Sequence, residues 1–289
     1  MSWSGGKDSA YALHQILQAG VYDVRYLLST IDADTQRLAI HELPEALLDQ
    51  QAQLIGIPLK KCYLYNKDNQ AYENAMNEML LGMQEEGIHH IIFGDLFLED
   101  LRHYREEMMK ALGMVCVFPL WQMDSANVVA DFVAKGFRSV ICSVNETYLH
   151  NSWVGKIIDE SFLESVPAHV DPCGENGEYH SFCFDGPIFK HAVDFTRGKI
   201  FSKSFELNKT VEDANSSSKL QMWYLEILPK PPGRQLKCAR CNSSFECNSA
   251  DVTNCQCNAV PLSIEIQAVI KTKYDDCLCV NCLQELATG

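Results

Sequence analysis

The chain lacks any uninterrupted apolar run near the ~20 residues that a membrane-spanning helix needs. It also lacks a basic-then-apolar leader, since it turns polar and glycine-rich within a few residues, so a signal peptide is not expected. A cytoplasmic, reducing setting follows as the default. Positive charge is scarce: 24 Lys and Arg stand against 38 Asp and Glu, a net charge of −14. Neutralising nucleic-acid phosphates needs clustered Lys and Arg, so the balance argues against a nucleic-acid partner and for a soluble acidic enzyme. No Gly-x-x-x-x-Gly-Lys loop is present, which excludes a Walker A site. No Gly-x-Gly-x-x-Gly is present, which excludes a dinucleotide fingerprint. There is no internal repeat.

What the chain does have is concentrated at its start. Ser4-Gly5-Gly6-Lys7-Asp8-Ser9 runs straight into an amphipathic segment, Ala10 to Ala19. Glycines let the backbone turn tightly and bring N–H groups close to an anion. The helix that follows aims its positive end at the same spot. Beyond it, apolar β-like runs alternate with helical patterns. Strands are expected at Val24–Ile31, Leu59–Tyr65, His89–Phe93, Met114–Phe118 and Arg138–Val144. Helices are expected at Pro44–Ile55, Tyr72–Glu86, Leu98–Leu112 and Ser125–Lys135. This alternation predicts an α/β fold, a parallel open sheet with helices on both faces. Past residue 150 the pattern weakens. Asp159–Val166 reads as a helix, Asp171–Phe189 as a structured loop, and Gly198–Glu206 and Lys219–Leu228 as strands. Pro229-Lys230-Pro231-Pro232-Gly233 reads as a stiff linker. The division expected is 1–148 for nucleotide binding, 149–228 as a smaller α+β substrate subdomain, 229–235 as linker and 236–289 as a cysteine-rich unit.

Ser4 to Ser9 is the signature of the PP-loop ATP pyrophosphatases. Further stretches narrow the resemblance: Phe93-Gly94-Asp95 followed by Arg102, Glu106 and Gly113, the decapeptide Asp171-Pro-Cys-Gly-Glu-Asn-Gly-Glu-Tyr-His180, and Asp185-Gly-Pro-Ile-Phe189. From Met1 to about Leu228 the chain resembles the diphthine–ammonia ligase family. The resemblance implies a HUP-type fold, like the adenine nucleotide α-hydrolases, and an AMP-forming amide ligase. ATP activates a carboxylate as its acyl-adenylate, pyrophosphate leaves, and ammonia displaces AMP. The acceptor would be diphthine on elongation factor 2 or an unknown small molecule, with ATP and Mg²⁺ as cofactors.

The residue types suit that chemistry. Ser4, Gly5, Gly6, Lys7, Asp8, Ser9 and Gly94 would cradle ATP phosphates, with Lys7 stabilising the charge that builds on departing pyrophosphate. Asp8 sits where it would hold Mg²⁺. Ser4 and Gly94-Asp95 both fall at carboxyl ends of strands, where ligands gather in open α/β sheets. Arg102 and Glu106 lie four apart on one helix face. They read either as an exposed ion pair or, with the resemblance, as a phosphate- or carboxylate-binding pair. Glu175 and Glu178 are the candidates for guiding ammonium and taking its proton, with Asn176 and His180 as partners. The polar groups of that loop also suit a tight self-capping turn. Cys173 reads as a buried thiol rather than a thioester nucleophile. The family often places a substrate-contacting His where His41 stands, and a surface His is an equal reading.

Eight of the thirteen cysteines lie between Cys238 and Cys282. Cys238-x2-Cys241 and Cys279-x2-Cys282 are knuckles of the kind that share one Zn²⁺. Cys247, Cys255, Cys257 and Cys277 would suffice for a second four-thiolate site. The pattern resembles the cysteine-rich CWC family, with Gln256 in the place of that family's usual Trp, a departure expected to thin the core. Structural zinc, an iron–sulfur cluster and redox thiols are the readings, in that order. Two rival functions remain: a PP-loop tRNA-modifying enzyme, and an ATP-binding regulator without turnover. The family enters its loop from a buried strand of which only Met1-Ser2-Trp3 is present here, so a stunted strand or a start upstream of Met1 is expected.

Overall fold

The computed structural model describes residues 1–38, 40–66, 69–206, 219–230, 234–247 and 255–288. They fall into two compact units, Met1–Pro229 and Lys230–Gly289. No helix among the described residues is long and apolar enough to cross a membrane.

The first unit is mixed α/β. It opens on the short extended segment Met1–Trp3 and then helix α1 (Lys7–Ala19), which Gly20 ends in the left-handed conformation. There follow β1 (Leu27–Asp32), the two-residue strands β2 (Arg37–Leu38) and β3 (Leu43–Pro44), α2 (Glu45–Ile55), β4 (Leu59–Leu64), α3 (Asn69–Glu85) and β5 (His90–Ile92). Next come α4 (Glu99–Ala111), β6 (Val115–Val117), α5 (Ser125–Ala134) and β7 (Arg138–Asn145). β1 pairs in parallel with β4, and β5 with β6. Met1–Trp3 lies between them: Trp3 N–H donates to Leu28 O, Leu28 N–H to Met1 O, and Ser2 N–H to Ile92 O. The short opening segment is thus hydrogen-bonded on both sides, and Trp3 is buried.

Alternate residues of these strands enter different cores, as the two-residue period of a strand requires. Leu27, Ile31 and Ile92 join a cluster with α1, α2 and α5. Leu28, Ile91 and Phe93 join a second cluster with Leu80 of α3 and Met109 of α4.

β7 departs from the expected parallel alternation. It pairs antiparallel with β8 (Ile157–Ile158), β9 (Tyr179–Asp185) and β11 (Lys219–Pro229). α6 (Glu160–Ser165) follows β8, and the long β10 (Phe195–Glu206) pairs antiparallel with β11. The chain leaving β7 returns to β8 through residues 146–156, which hold only the 3-10 turn Asn151–Trp153 and no crossover helix, a path too short for parallel pairing. A second correction concerns Asp171–Phe189, expected as loop throughout. Its first part is turns, but Tyr179–Asp185 is a strand with an almost wholly buried pattern. The Gly, Asp and Pro residues that flank it hid its apolar run, Phe182-Cys183-Phe184.

The second unit is small: the hairpin β12 (Arg234–Lys237) with β13 (Ser244–Cys247), a short 3-10 turn, α7 (Ile264–Lys273) and α8 (Val280–Thr288).

Candidate functional site

The loop Ser4–Gly6 joins Trp3 to α1, and its shape is set from below by Gln51. This side chain, wholly buried on α2, donates to Gly5 O (3.0 Å) and Cys183 O (2.6 Å) and accepts from the Trp3 indole (2.9 Å). Gly5 has φ +71°, and a Cβ there would stand 2.7 Å from Gln51 Oε1. Gln51 therefore ties loop, first segment and β9 together. Ser181 Oγ adds a second tie by accepting from Lys7 N–H at 3.1 Å. Gly94 approaches from β5, where a Cβ would sit 3.0 Å from the backbone of Asp8. The loop itself is laced: Ser4 Oγ accepts from Gly6 N–H and donates to Ser9 Oγ, and Ser9 Oγ donates to Gly6 O.

Above the loop lies a cavity of about 140 Å³, lined by Ser4, Lys7, Asp8, His41, Asp95, Glu175, His180 and Ser181, with Leu98, Leu101, Cys173 and Tyr179 completing its walls. It is smaller than the ~300–1,000 Å³ of ordinary ligand clefts, so it suits the phosphate end of a nucleotide rather than the whole. Lys7 forms the floor. Its Nζ donates to Asp8 Oδ1 at 2.6 Å and to Cys173 O, and lies 5.4 Å from the Tyr179 ring centre. Burial opposes the charge of Lys7, but the Asp8 carboxylate more than restores it and holds the ammonium well above the usual lysine range.

The acidic wall comes from three elements. Glu175 Oε1 accepts from Leu96 N–H at 2.8 Å. Burial pushes its carboxyl up to about 7, with Asp8 adding to the shift and the Leu96 N–H opposing it. Asp95 is raised by burial and by Asp8, against the pull of Arg105. On the opposite side His41, carried in by the β2–β3 hairpin, meets His180 with ring centres 4.7 Å apart and ring planes tilted by 37°. Its Nδ1 meets Ser181 O at 3.2 Å. Burial takes His41 down to about 4, and His180 well below its ordinary value, so both rings are neutral. Burial also pushes the Cys173 thiol far up, which leaves it no thiolate to attack with.

Four expected residues stand elsewhere. Glu178 is buried but holds its own loop, accepting through Oε1 from Asp171 N–H (3.0 Å) and Asn176 Nδ2 (3.1 Å). Asn176 is spent in that bond, so the geometry separates Glu175, in the cavity, from Glu178, behind it. Arg102 and Glu106 do not line the cavity. They form a half-exposed i,i+4 pair at 2.7 Å, with the Arg102 guanidinium 4.5 Å from the Trp121 ring centre. Sequence reading missed Gln51, Ser181, Tyr179 and Arg105. Of these, Tyr179 carried a local signal, since it lies in the Asp171–His180 stretch next to Glu178 and His180.

The second unit brings four sulfurs together: Cys238, Cys241, Cys279 and Cys282 have Sγ atoms all within 4.8 Å of one another. Cys241 and Cys279 are 3.7 Å apart, close to the ~3.8 Å that tetrahedral Zn–S bonds of about 2.3 Å require. Burial opposes ionisation of Cys238, but backbone N–H groups of Cys279, Cys241 and Arg240 outweigh it and bring the thiol down to about 6. The other set is looser. Cys247 and Cys277 are 3.8 Å apart, while Cys255 and Cys257 flank Gln256. Gln256 is no idle replacement: it donates to Leu278 O and accepts from Val280 N–H, both at 3.2 Å, and so clamps the backbone either side of Cys279.

Comparison with known proteins finds one family over the first unit and another over the tail. Residues 1–116 match the diphthamide synthase N-terminal domain, 124–214 the diphthamide synthase C-terminal domain, and 238–284 the cysteine-rich CWC family. Relatives include the diphthine–ammonia ligase of Bos taurus, 24% identical over 225 residues, covering 70% of this chain and 84% of the relative. That of Homo sapiens is 25% identical over 214 residues, covering 66% and 79%. That of Saccharomyces cerevisiae is 23% identical over 278 residues, covering 79% of this chain but 39% of the relative. With both domains of that family in order over the first unit, the chain belongs to the diphthamide synthase family and carries a CWC unit behind them.

Proposed function

We propose that this protein is an ATP-dependent, AMP-forming amide ligase that adenylates a carboxylate and transfers ammonia to it. The observation that carries the reading is the cavity: a lysine-floored PP-loop faces Glu175 across one small space, in a chain that matches both diphthamide synthase domains. We infer that β4, β1, Met1–Trp3, β5 and β6 form one open parallel sheet with helices on both faces. The loop and Asp95 then sit where the strand order reverses, the usual ligand crevice of such sheets.

In this reading Lys7, with Ser4, Ser9 and the backbone of Gly5, Gly6 and Gly94, holds the β and γ phosphates. Lys7 keeps its charge at any working pH and stabilises the charge that collects on pyrophosphate as the acceptor carboxylate attacks the α phosphorus. Asp8 and Asp95 are hard oxygen donors on one wall, and Asp95 Oδ2 is buried beside the Arg105 guanidinium without a well-formed hydrogen bond to it, a donor set that fits Mg²⁺. Mg²⁺ bound there would offset phosphate charge. Glu175 takes the proton from ammonium, and the free amine attacks the acyl carbon as AMP leaves. His41 and His180, both neutral, offer hydrogen bonds to the acceptor without repelling or neutralising its carboxylate. The 149–228 segment would supply the acceptor side through Cys173–Ser181. In the tail, Cys238, Cys241, Cys279 and Cys282 would hold one structural Zn²⁺, and Cys247, Cys255, Cys257 and Cys277 a second. A tail built on thiolates suits the cytoplasm.

The test is to incubate the protein with ATP, Mg²⁺ and ammonium across a panel of carboxylates, including diphthine-bearing elongation factor 2. AMP and pyrophosphate appearing only with a matching carboxylate support the reading. ADP and phosphate as sole products overturn it.

A further inference from the structure

Arg105 lies outside the cavity yet governs one of its walls. Its Nη2 donates to Asp95 Oδ1 at 3.1 Å, and its Nε stands 2.9 Å from Oδ2. The guanidinium carbon sits 4.2 Å from the Phe93 ring centre. Arg105 is 23% exposed and Asp95 12%. One hydrogen bond and one close ion-pair contact, without hydrogen-bond geometry at Nε, reach both carboxylate oxygens at once, and the ring sets the plane of the guanidinium. The other cavity carboxylates have no such hold. Asp8 has the single flexible ammonium of Lys7, and Glu175 has one backbone N–H.

The partner arginine on the same helix does something else. Arg102 bonds Glu106, its own neighbour, and lies over Trp121 and Phe118. One arginine therefore serves the helix surface and the other reaches the site.

We propose that Arg105 is a positioning residue, holding Asp95 in the orientation in which Asp8 and Asp95 together accept a divalent cation. This rests on the metal–nucleotide reading of the cavity given above. Arg105 touches neither nucleotide nor acceptor and acts through Asp95 alone.

The test uses Mn²⁺ as a paramagnetic probe, titrated into the full-length protein by electron paramagnetic resonance in the presence of a non-hydrolysable ATP analogue. Arg105→Ala is expected to weaken Mn²⁺ binding by about tenfold or more, as loss of an outer partner of a metal ligand does. Arg105→Lys should recover only part of it, because an ammonium has no plane for the ring to set. Arg105→Ala placed on Asp95→Asn should weaken Mn²⁺ no further than Asp95→Asn alone, whereas a merely structural role would make the two losses add. Mn²⁺ affinity of Arg105→Ala within twofold of the parent, or fully additive losses, overturns the proposal. If Arg105→Ala melts below the assay temperature, Arg105→Lys decides: parental affinity there also overturns it. A parent protein that binds no Mn²⁺ with the analogue defeats the metal–nucleotide reading itself, and this inference falls with it.

Discussion

The two units solve the problem of a stable interior with different materials. Met1–Pro229 buries hydrocarbon: its main cluster gathers Trp3, Leu13, Leu47, Phe132, Phe137, Ile141 and Phe182. In Lys230–Gly289 the buried cluster is Cys238, Val260, Leu278, Cys279, Cys282 and Leu283, half of it cysteine. Its helix α7 buries no residue at all. Charge divides the same way. The net −14 lies entirely in residues 1–229, while Lys and Arg balance Asp and Glu in the remainder. A unit of this size with so little apolar surface to bury needs a staple, and clustered thiolates are one only when a metal is bound. The larger unit can therefore spend burial on a costly acidic cavity, which the smaller could not support.

The sharpest way to break this contrast is to remove the Zn²⁺ proposed for the four-sulfur cluster. A strong chelator acting on the purified full chain should unfold the cysteine-rich unit outright, since structural Zn²⁺ supplies about 10 kcal/mol or more in small metal-folded domains. The thermal transition of the first unit should stay within a few degrees. Amide-resolved NMR reads both units at once. A tail that keeps its dispersion without metal would mean that hydrocarbon, not sulfur, holds it.

Next in size is the floor of the cavity. Lys7→Ala should lower the rate of AMP and pyrophosphate formation by about 10²–10³-fold, the usual loss when a transition-state charge partner is removed. An unchanged rate would leave the nucleotide-binding regulator as the better reading. Much of this was legible beforehand because it is local. Ser4–Ser9 is contiguous, and the helices after it follow a 3.6-residue period that single residues cannot disguise. What was hidden was tertiary. Gln51 looks like one more polar residue on α2 until Trp3 and Cys183 come to it from 48 and 132 positions away. Glu175 and Glu178 are equivalent in the sequence, and only folding turns one into the cavity and the other back on its loop. Arg102–Glu106 drew attention because i,i+4 pairs are visible in one dimension, whereas the Arg105–Asp95 pair joins two elements.

Gln51 gives the third test. Gln51→Leu keeps volume but strands Cys183 O and the Trp3 indole N–H in a dry core, while Gly5 O keeps only the Cys183 N–H at 2.8 Å. With about 1–3 kcal/mol for each buried group left unpaired, a loss of about 2–4 kcal/mol is expected in urea unfolding of the first unit, after partial relaxation. A change below about 1 kcal/mol would mean the loop is held by something else.

Glu175 is the fourth. Its carboxyl is raised to about 7 by burial, so amide formation should rise with pH through that value as the base loses its proton. Glu175→Gln should abolish that limb and slow ammonia transfer by about 10²-fold. Stability moves the other way. The folded state holds this proton more tightly than the unfolded chain, so the parent loses stability as pH rises from about 4.5 to 7 and remains lowered above it. Glu175→Gln should therefore raise the melting temperature at pH 8 and leave it unchanged at pH 4. An equal shift at both pH values would show that packing, not charge, had changed.

The smallest effect is expected at Gln256, the counterpart of Gln51 in the sulfur-built unit. Both glutamines clamp backbone from two sides. Gln51 is wholly buried and shares its task with the Cys183 N–H that reaches Gly5 O, whereas Gln256 is half-buried and grips a knuckle whose Cys279 and Cys282 belong to the four-sulfur cluster. Once thiolates are bound to a metal, two hydrogen bonds of 3.2 Å add little: about 1 kcal/mol together, or less than a tenfold change in Zn²⁺ affinity. Gln256→Ala measured by competition with a chromophoric chelator checks it. A loss beyond about 100-fold would mean that the knuckle is built by its backbone clamp before any metal arrives. The two units would then differ in composition but not in the way they order a loop.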